Sequence, residues 1–326
     1  MLSPNIKLKK SLDYTFAVGR VRVWESKLLS ASLFYQLADA RNLSELESIL
    51  SPTAYKLAIS GFDDVLDTEE ITVLKELKKT LKDDRFLLPF FYKRDFYNLK
   101  LLAKSKFTDV EIDRLKEGLI EKGKIEQAIS GGDLTSLPKN YQDFLNEAWK
   151  IYEKTEDWQI LDSFLEQRLY EQILNITEEF PFANYFFKSE IDLINIKTFI
   201  RYKNSDAGGD LFGRLFINGG LLDRHFFGEE SIDKLLQRLK STPYDLLTDI
   251  EISPNFEKFY EIENKCHFAL LKYLLCARYT SFGYEPILRY VSLKNNEIKN
   301  LRTVIIGKTH NIPSEEIKAR IGPFNA

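Results

Sequence analysis

The chain has 326 residues, with 46 basic and 49 acidic side chains, a net charge of −3, 44% hydrophobic residues and 29% charged ones. A chain of this length can bury a large core, and its near balance of charge argues against a nucleic-acid binder, which needs a basic stripe to neutralise phosphates. No stretch approaches the roughly 20 apolar residues a membrane span requires, since the densest runs, 86–92 and 268–277, are broken by Pro89 and Lys272. The one basic cluster, Lys7, Lys9 and Lys10, reads most simply as a solvated terminus. The N-terminus lacks the apolar core and small-residue cleavage site of a secretory signal, so a cytosolic chain is expected.

Apolar residues recur at three- and four-residue spacing almost throughout, which predicts helices with one buried stripe and an all-α chain. The opening helix carries Arg20, Arg22 and Glu25, which form either a local ion pair worth under about 1 kcal/mol or a contact to a partner. Gly61 marks a turn, and Asp67 with Glu70 fits a capping box, as does Thr108 with Glu111. Gly123, Gly131-Gly132 and Gly219-Gly220 read as helix ends or turns. The run Trp158, Leu161, Phe164, Leu165, Leu169, Ile173 is one amphipathic stripe. Asn204 to Asp210 reads as a polar loop. Thr242-Pro243 and Ser253-Pro254 place a cap residue before a first-turn proline. Cys266 and Cys276 stand ten apart in a helical stretch, about 15 Å along the axis, too far for a disulfide. They read as buried thiols in a reducing compartment.

One pattern occurs three times. Asp95-Phe-Tyr-Asn98-Leu-Lys100 is followed by Lys106, Asp192-Leu-Ile-Asn195-Ile-Lys197 by Lys203, and Glu297-Ile-Lys-Asn300-Leu-Arg302 by Lys308. Each copy has an acid three before the Asn and a Lys eight after it. Phe96, Leu99, Leu102 and Ala103 align with Leu193, Ile196, Phe199 and Ile200, and again with Ile298, Leu301, Val304 and Ile305. That spacing makes one buried helix face per copy. The chain therefore divides into three related helical domains, 1–115, 116–218 and 219–326. Asn is a weak helix former, so its recurrence wants a reason. Either each Asn bonds a neighbouring helix or loop within its own unit, which is favoured, or the three face a shared pocket and touch a partner. The acids and the lysines Lys106, Lys203 and Lys308 read as surface charges or helix-end stabilisers.

Catalytic patterns are weak. Gly307-Lys308-Thr309 resembles the end of a phosphate-binding loop, but the glycine needed five positions earlier is Arg302 and the segment is helical. Gly208-Gly209 and Gly213 follow no strand, as a dinucleotide site would require. His225, His267 and His310 have no metal-ligand spacing beyond the adjacent Cys266-His267, whose side chains leave a helix on different faces. Neither a nucleophile elbow nor an acid–base pair stands out, and no cofactor or metal is expected.

With these residues the chain resembles the C subunit of the V-type and archaeal-type rotary ATPases, known as the d subunit in the eukaryotic vacuolar enzyme. Arg94 to Lys106 looks like that family's first internal repeat. Tyr14, Ala17, Arg20, Arg22, Glu25 and Leu28-Leu29 look like its opening helix, and Ile217-Asn-Gly-Gly220 like its glycine turn. Asn296 to Lys308 and Glu316 to Arg320 look like its closing repeat. The resemblance implies three similar helical domains in a pseudo-threefold, funnel-like arrangement. It implies a non-catalytic central-stalk connector, one copy per complex, between the membrane rotor ring and a shaft of D and F subunits, on the cytoplasmic face. The competing expectations are a helical scaffold unrelated to ATPases, and an enzyme with a site built from scattered carboxylates.

Overall fold

The computed structural model describes residues 12–55, 61–108, 114–205, 210–228, 231–250 and 258–324. Among them every regular element is a helix and no strand occurs, so the chain is all-α. Chain contacts group it into two compact units, one built from 1–83 with 236–326 and the other from 84–235.

The first, discontinuous unit begins with α1 (Thr15–Glu25), α2 (Ala31–Asp39), α3 (Leu43–Leu50) and α4 (Phe62–Lys78). Ser30 and Asn42 cap α2 and α3 by accepting the Leu33 and Glu45 N–H groups. The expected capping box at Asp67 and Glu70 is not a helix start. Gly61, at φ 133°, precedes α4, and Asp63 and Asp64 fill its acidic first turn. Asp67 instead meets Arg302 at 3.2 Å.

The second unit holds α5 (Leu88–Ser105), α6 (Lys122–Gly131), α7 (Lys139–Thr155), α8 (Trp158–Ile176), α9 (Pro181–Lys203), α10 (Leu211–Leu215) and α11 (Arg224–Phe227). Gly123 lies inside the first turn of α6, not at an end, whereas Gly132 closes that helix in the left-handed region at φ 62°. Asp157 opens α8 by accepting the Gln159 and Ile160 N–H groups. Helix α8 packs against α5, α7 and α9. The buried pair Leu161 and Leu165 lies on its stripe. Of the expected polar loop, Asn204 and Ser205 end α9 and Asp210 caps α10, while 206–209 lie outside the described residues.

The chain continues through α12 (Ile232–Leu239) to α13 (Phe259–Leu274), α14 (Glu285–Thr309) and α15 (Ser314–Arg320). Thr242-Pro243 does not open an α-helix. The Thr242 hydroxyl instead caps a tight turn, donating to the Leu239 carbonyl and accepting the Tyr244 N–H. Ser253-Pro254 and Glu111 lie outside the described residues. Cys266 is buried in α13, but Cys276 is exposed, against expectation, because α13 has ended by then. Helix α14 is the axis of this unit. Ile298, Leu301, Val304 and Ile305 pack with Phe34, Leu37, Leu46, Leu50 and Leu66 from the N-terminal helices and Ile317 from α15.

Candidate functional site: a backbone clamp in three copies

The three motif copies lie on α5, α9 and α14, each with a proline in its first turn. That position tolerates proline because its N–H has no helical partner. All twelve aligned apolar residues are buried. Beside them the asparagines are almost wholly buried as well, at 0%, 0% and 1% exposure for Asn98, Asn195 and Asn300. A buried amide must be bonded on both sides or it destabilises the fold.

Each Asn meets that demand by gripping the backbone of one residue downstream, both its N–H and its carbonyl. Asn98 Nδ2 donates to the Lys116 carbonyl (2.7 Å) and Oδ1 accepts the Lys116 N–H (2.8 Å). Asn195 does the same to Ile217, at 2.8 and 2.9 Å. Asn300 accepts the Gly322 N–H at 2.9 Å and donates to its carbonyl at 3.4 Å. The gripped residues lie 18, 22 and 22 positions on.

The acid three before the Asn extends the grip in two copies. Asp95 accepts the Leu119 and Ile120 N–H groups at 3.2 and 3.1 Å. Asp192 accepts those of Leu221 and Leu222 at 3.1 and 3.0 Å. Glycine precedes both pairs for a steric reason. A Cβ on Gly118 would stand 2.0 Å from Asp95 Oδ1, and one on Gly220 would stand 2.0 Å from Asp192 Oδ1. Burial pushes the Asp95 carboxyl up to about 6, against the lowering pull of its backbone donors and Arg94. These acids are therefore buried clamp residues and not surface charges.

The third copy departs from this. Glu297, one methylene longer, accepts the Leu29 N–H and, at 2.6 Å, the Tyr55 hydroxyl proton. It also pairs with Lys294 at 3.0 Å, and Lys294 reaches Glu69 at 2.9 Å. Glu297 thus joins α14 to the N-terminal connections at Leu29 and Tyr55 instead of holding a downstream loop. Burial, followed by the Glu297 charge, pushes the Tyr55 hydroxyl far above its ordinary range. One further position repeats. Four residues before the Asn, Arg94 donates to the Glu117 carbonyl and Asn296 to the Pro323 carbonyl, in each case the residue after the gripped one.

Lys106, Lys203 and Lys308 stand at the C-terminal ends of the three helices, where a cation meets the helix dipole favourably. Lys106 also sits 4.3 Å from the Trp149 ring, and Lys308 donates to the Ser314 hydroxyl at 3.2 Å. Arg22 and Glu25 pair at 2.7 Å, Arg22 donates to the Ala277 and Thr280 carbonyls, and Glu25 meets Arg289. Arg20 reaches Glu76 at 3.3 Å and lies 4.6 Å from the Trp24 ring. Gly307-Lys308-Thr309 is the last turn of α14. Its glycine admits Ile317, which a Cβ would approach to 2.7 Å.

The outer faces of two motif helices border open grooves. In the 84–235 unit, Ile194, Thr198, Arg201 and Tyr202 line a groove of about 440 Å³ with Lys100, Asp162 and Glu166. In the other unit, the equivalent Lys299, Thr303, Ile306 and Gly307 line one of about 280 Å³ with Arg302 and Arg320. Among the described residues no group of three or more His, Cys, Asp or Glu is placed to hold a metal ion, and no helix is long and apolar enough to cross a membrane.

Relatedness to known proteins is visible over nearly the full chain. Residues 17–320 match the family model of the ATP synthase (C/AC39) subunit, and the chain belongs to that family. It is 24% identical to the C subunit of the V-type sodium ATPase of Enterococcus hirae, over 92% of this chain and 95% of the relative. It is 24% identical to the C subunit of the A-type ATP synthase of Methanocaldococcus jannaschii, over 94% of this chain and 85% of the relative. With the corresponding A-type ATP synthase C subunit of Methanosarcina mazei it shares 25% identity over 97% and 94%.

Proposed function

We propose that the chain is the non-catalytic central-stalk connector of a V/A-type rotary ATPase, linking the membrane rotor ring to the D–F shaft and transmitting torque. Family membership supports a rotary ATPase component over an unrelated helical scaffold. The clamp carries the mechanical part of the reading. The motif's buried carboxylates and amides spend their hydrogen bonds on the chain's own loops. A torque-bearing part needs loops that do not slip, and dense, fully bonded interiors deform little.

In this reading the copies on α5, α9 and α14 mark three similar domains in a funnel-like arrangement, one domain each in 1–115, 116–218 and 219–326. The first clamp reaches to Ile120 and the second to Leu222, so each runs a few residues past the boundary at 115 or 218. One copy serves each complex, on the cytoplasmic face. The coupled ion is sodium or proton, and the machine either makes or consumes ATP. Incubating the purified chain with a purified D–F complex tests the reading. Co-elution from a sizing column with no ATP hydrolysis by the chain supports it. Separate elution, or hydrolysis by the chain alone, contradicts it.

A further inference from the structure

Asn296 stands on α14, one turn before Asn300, and is buried at 4% exposure. Its Nδ2 donates to the Pro323 carbonyl at 2.7 Å. That bond fixes which way the amide faces, because a carbonyl accepts only from the NH2 end. Oδ1 is thereby left as a buried acceptor with no hydrogen-bond partner among the described residues. A buried amide oxygen in that position is costly unless a donor reaches it.

A small cavity lies beside this side chain. It measures about 10 Å³, room for a single water. Asn296, Glu297 and Asn300 form its polar lining, and Leu29, Phe34 and Phe324 are among its apolar walls. The Glu297 carboxylate is already spent on the Leu29 N–H, the Tyr55 hydroxyl and the Lys294 ammonium. Lys294 answers its charge, so the cavity offers a cation no net attraction. A neutral donor of water's size fits the lining better.

Asn300 supplies the second partner such a guest needs. Its Nδ2 lies 3.4 Å from the Gly322 carbonyl, against 2.7 and 2.8 Å for the same bond in the copies on α5 and α9. An NH2 group also carries two N–H donors. The copies on α5 and α9 hold two more loop N–H groups through Asp95 and Asp192. On α14 that position is Glu297, turned to Leu29 and Tyr55. The third clamp is therefore the one with bonds to spare, and the cavity adjoins it.

We propose that this cavity binds one ordered water, which donates to Asn296 Oδ1, accepts from Asn300 Nδ2 and completes the third clamp. All of its residues belong to one compact unit, and the site does not depend on the rotary reading.

A high-resolution crystal structure of the full chain tests it. Density for a water within about 3.2 Å of both Asn296 Oδ1 and Asn300 Nδ2 is expected. An Oδ1 that meets no water overturns the proposal, as does one that accepts an N–H from the chain's last residues. Asn296→Leu keeps the side chain's outline and removes its oxygen, so the same crystals of that variant should show the water lost. A water that persists there overturns the assignment to Asn296. If the variant does not fold, the wild-type density alone decides.

Discussion

Asn195 holds the backbone of Ile217 at both of its polar groups, accepting its N–H at 2.9 Å and donating to its carbonyl at 2.8 Å. The side chain thereby supplies to a loop what a neighbouring strand would otherwise supply. It fixes the chain 22 residues downstream against the helix that carries it.

Removing that grip should be expensive. Asn195→Ala leaves a buried N–H and a buried carbonyl unbonded, at about 1–3 kcal/mol each, so a loss of roughly 2–4 kcal/mol is expected in urea unfolding. Asn98→Ala should lose a similar amount. A loss under about 1 kcal/mol in both would mean that water replaces the amide.

Two glycines should tolerate no side chain. Gly118→Ala and Gly220→Ala each drive a methyl into a buried carboxylate, and a destabilisation of about 1–3 kcal/mol is expected. Gly19→Ala is the control. It lies inside α1 with open space around it, so it should stabilise by about 0.5–1 kcal/mol. Equal effects from all three, read from thermal melts, would argue against the steric account.

Asp95 predicts a pH dependence of definite sign. Its carboxyl is raised to about 6 in the fold from an ordinary value of 3.8. Between those values the folded chain binds more protons than the unfolded one, so the Asp95 contribution falls as pH rises. The stabilising part is fully present below about pH 4 and lost by about pH 6, up to roughly 3 kcal/mol. The stability difference between wild type and Asp95→Asn should shrink across that window. A difference that is flat or grows with pH would contradict the burial argument.

Glu297 should act as a latch within its own unit. Glu297→Gln weakens the bonds to the Leu29 N–H and the Tyr55 hydroxyl and leaves Lys294 with Glu69. A loss of about 2–4 kcal/mol is expected, with hydrogen exchange speeding first in 29–55. Adding Lys294→Met should recover part of it, since the buried ammonium then no longer lacks its partner.

Much of this architecture was legible in the sequence because helices announce themselves by period. The twelve apolar positions of the repeat are all buried. The buried asparagines stood out as weak helix formers recurring at one place in that stripe. Their targets were not legible. Lys116, Ile217 and Gly322 carry no side-chain signal, since the clamp grips backbone and backbone has no sequence. Glu297 misleads for a related reason, because its partners Leu29 and Tyr55 lie 268 and 242 residues away. The start of α4 was misplaced because Asp67 and Glu70 imitate a cap, whereas the helix begins at Phe62 after Gly61 with no side-chain cap bond and with Asp63 and Asp64 in its first turn.

The central claim is that this chain joins a shaft to a rotor ring, and copurification from native membranes tests it most directly. A tagged full-length chain is captured after gentle solubilisation and its partners are identified by mass spectrometry. The D and F shaft proteins and the membrane rotor ring are expected together with it in one complex. Recovery of the chain without either the shaft or the ring would contradict it.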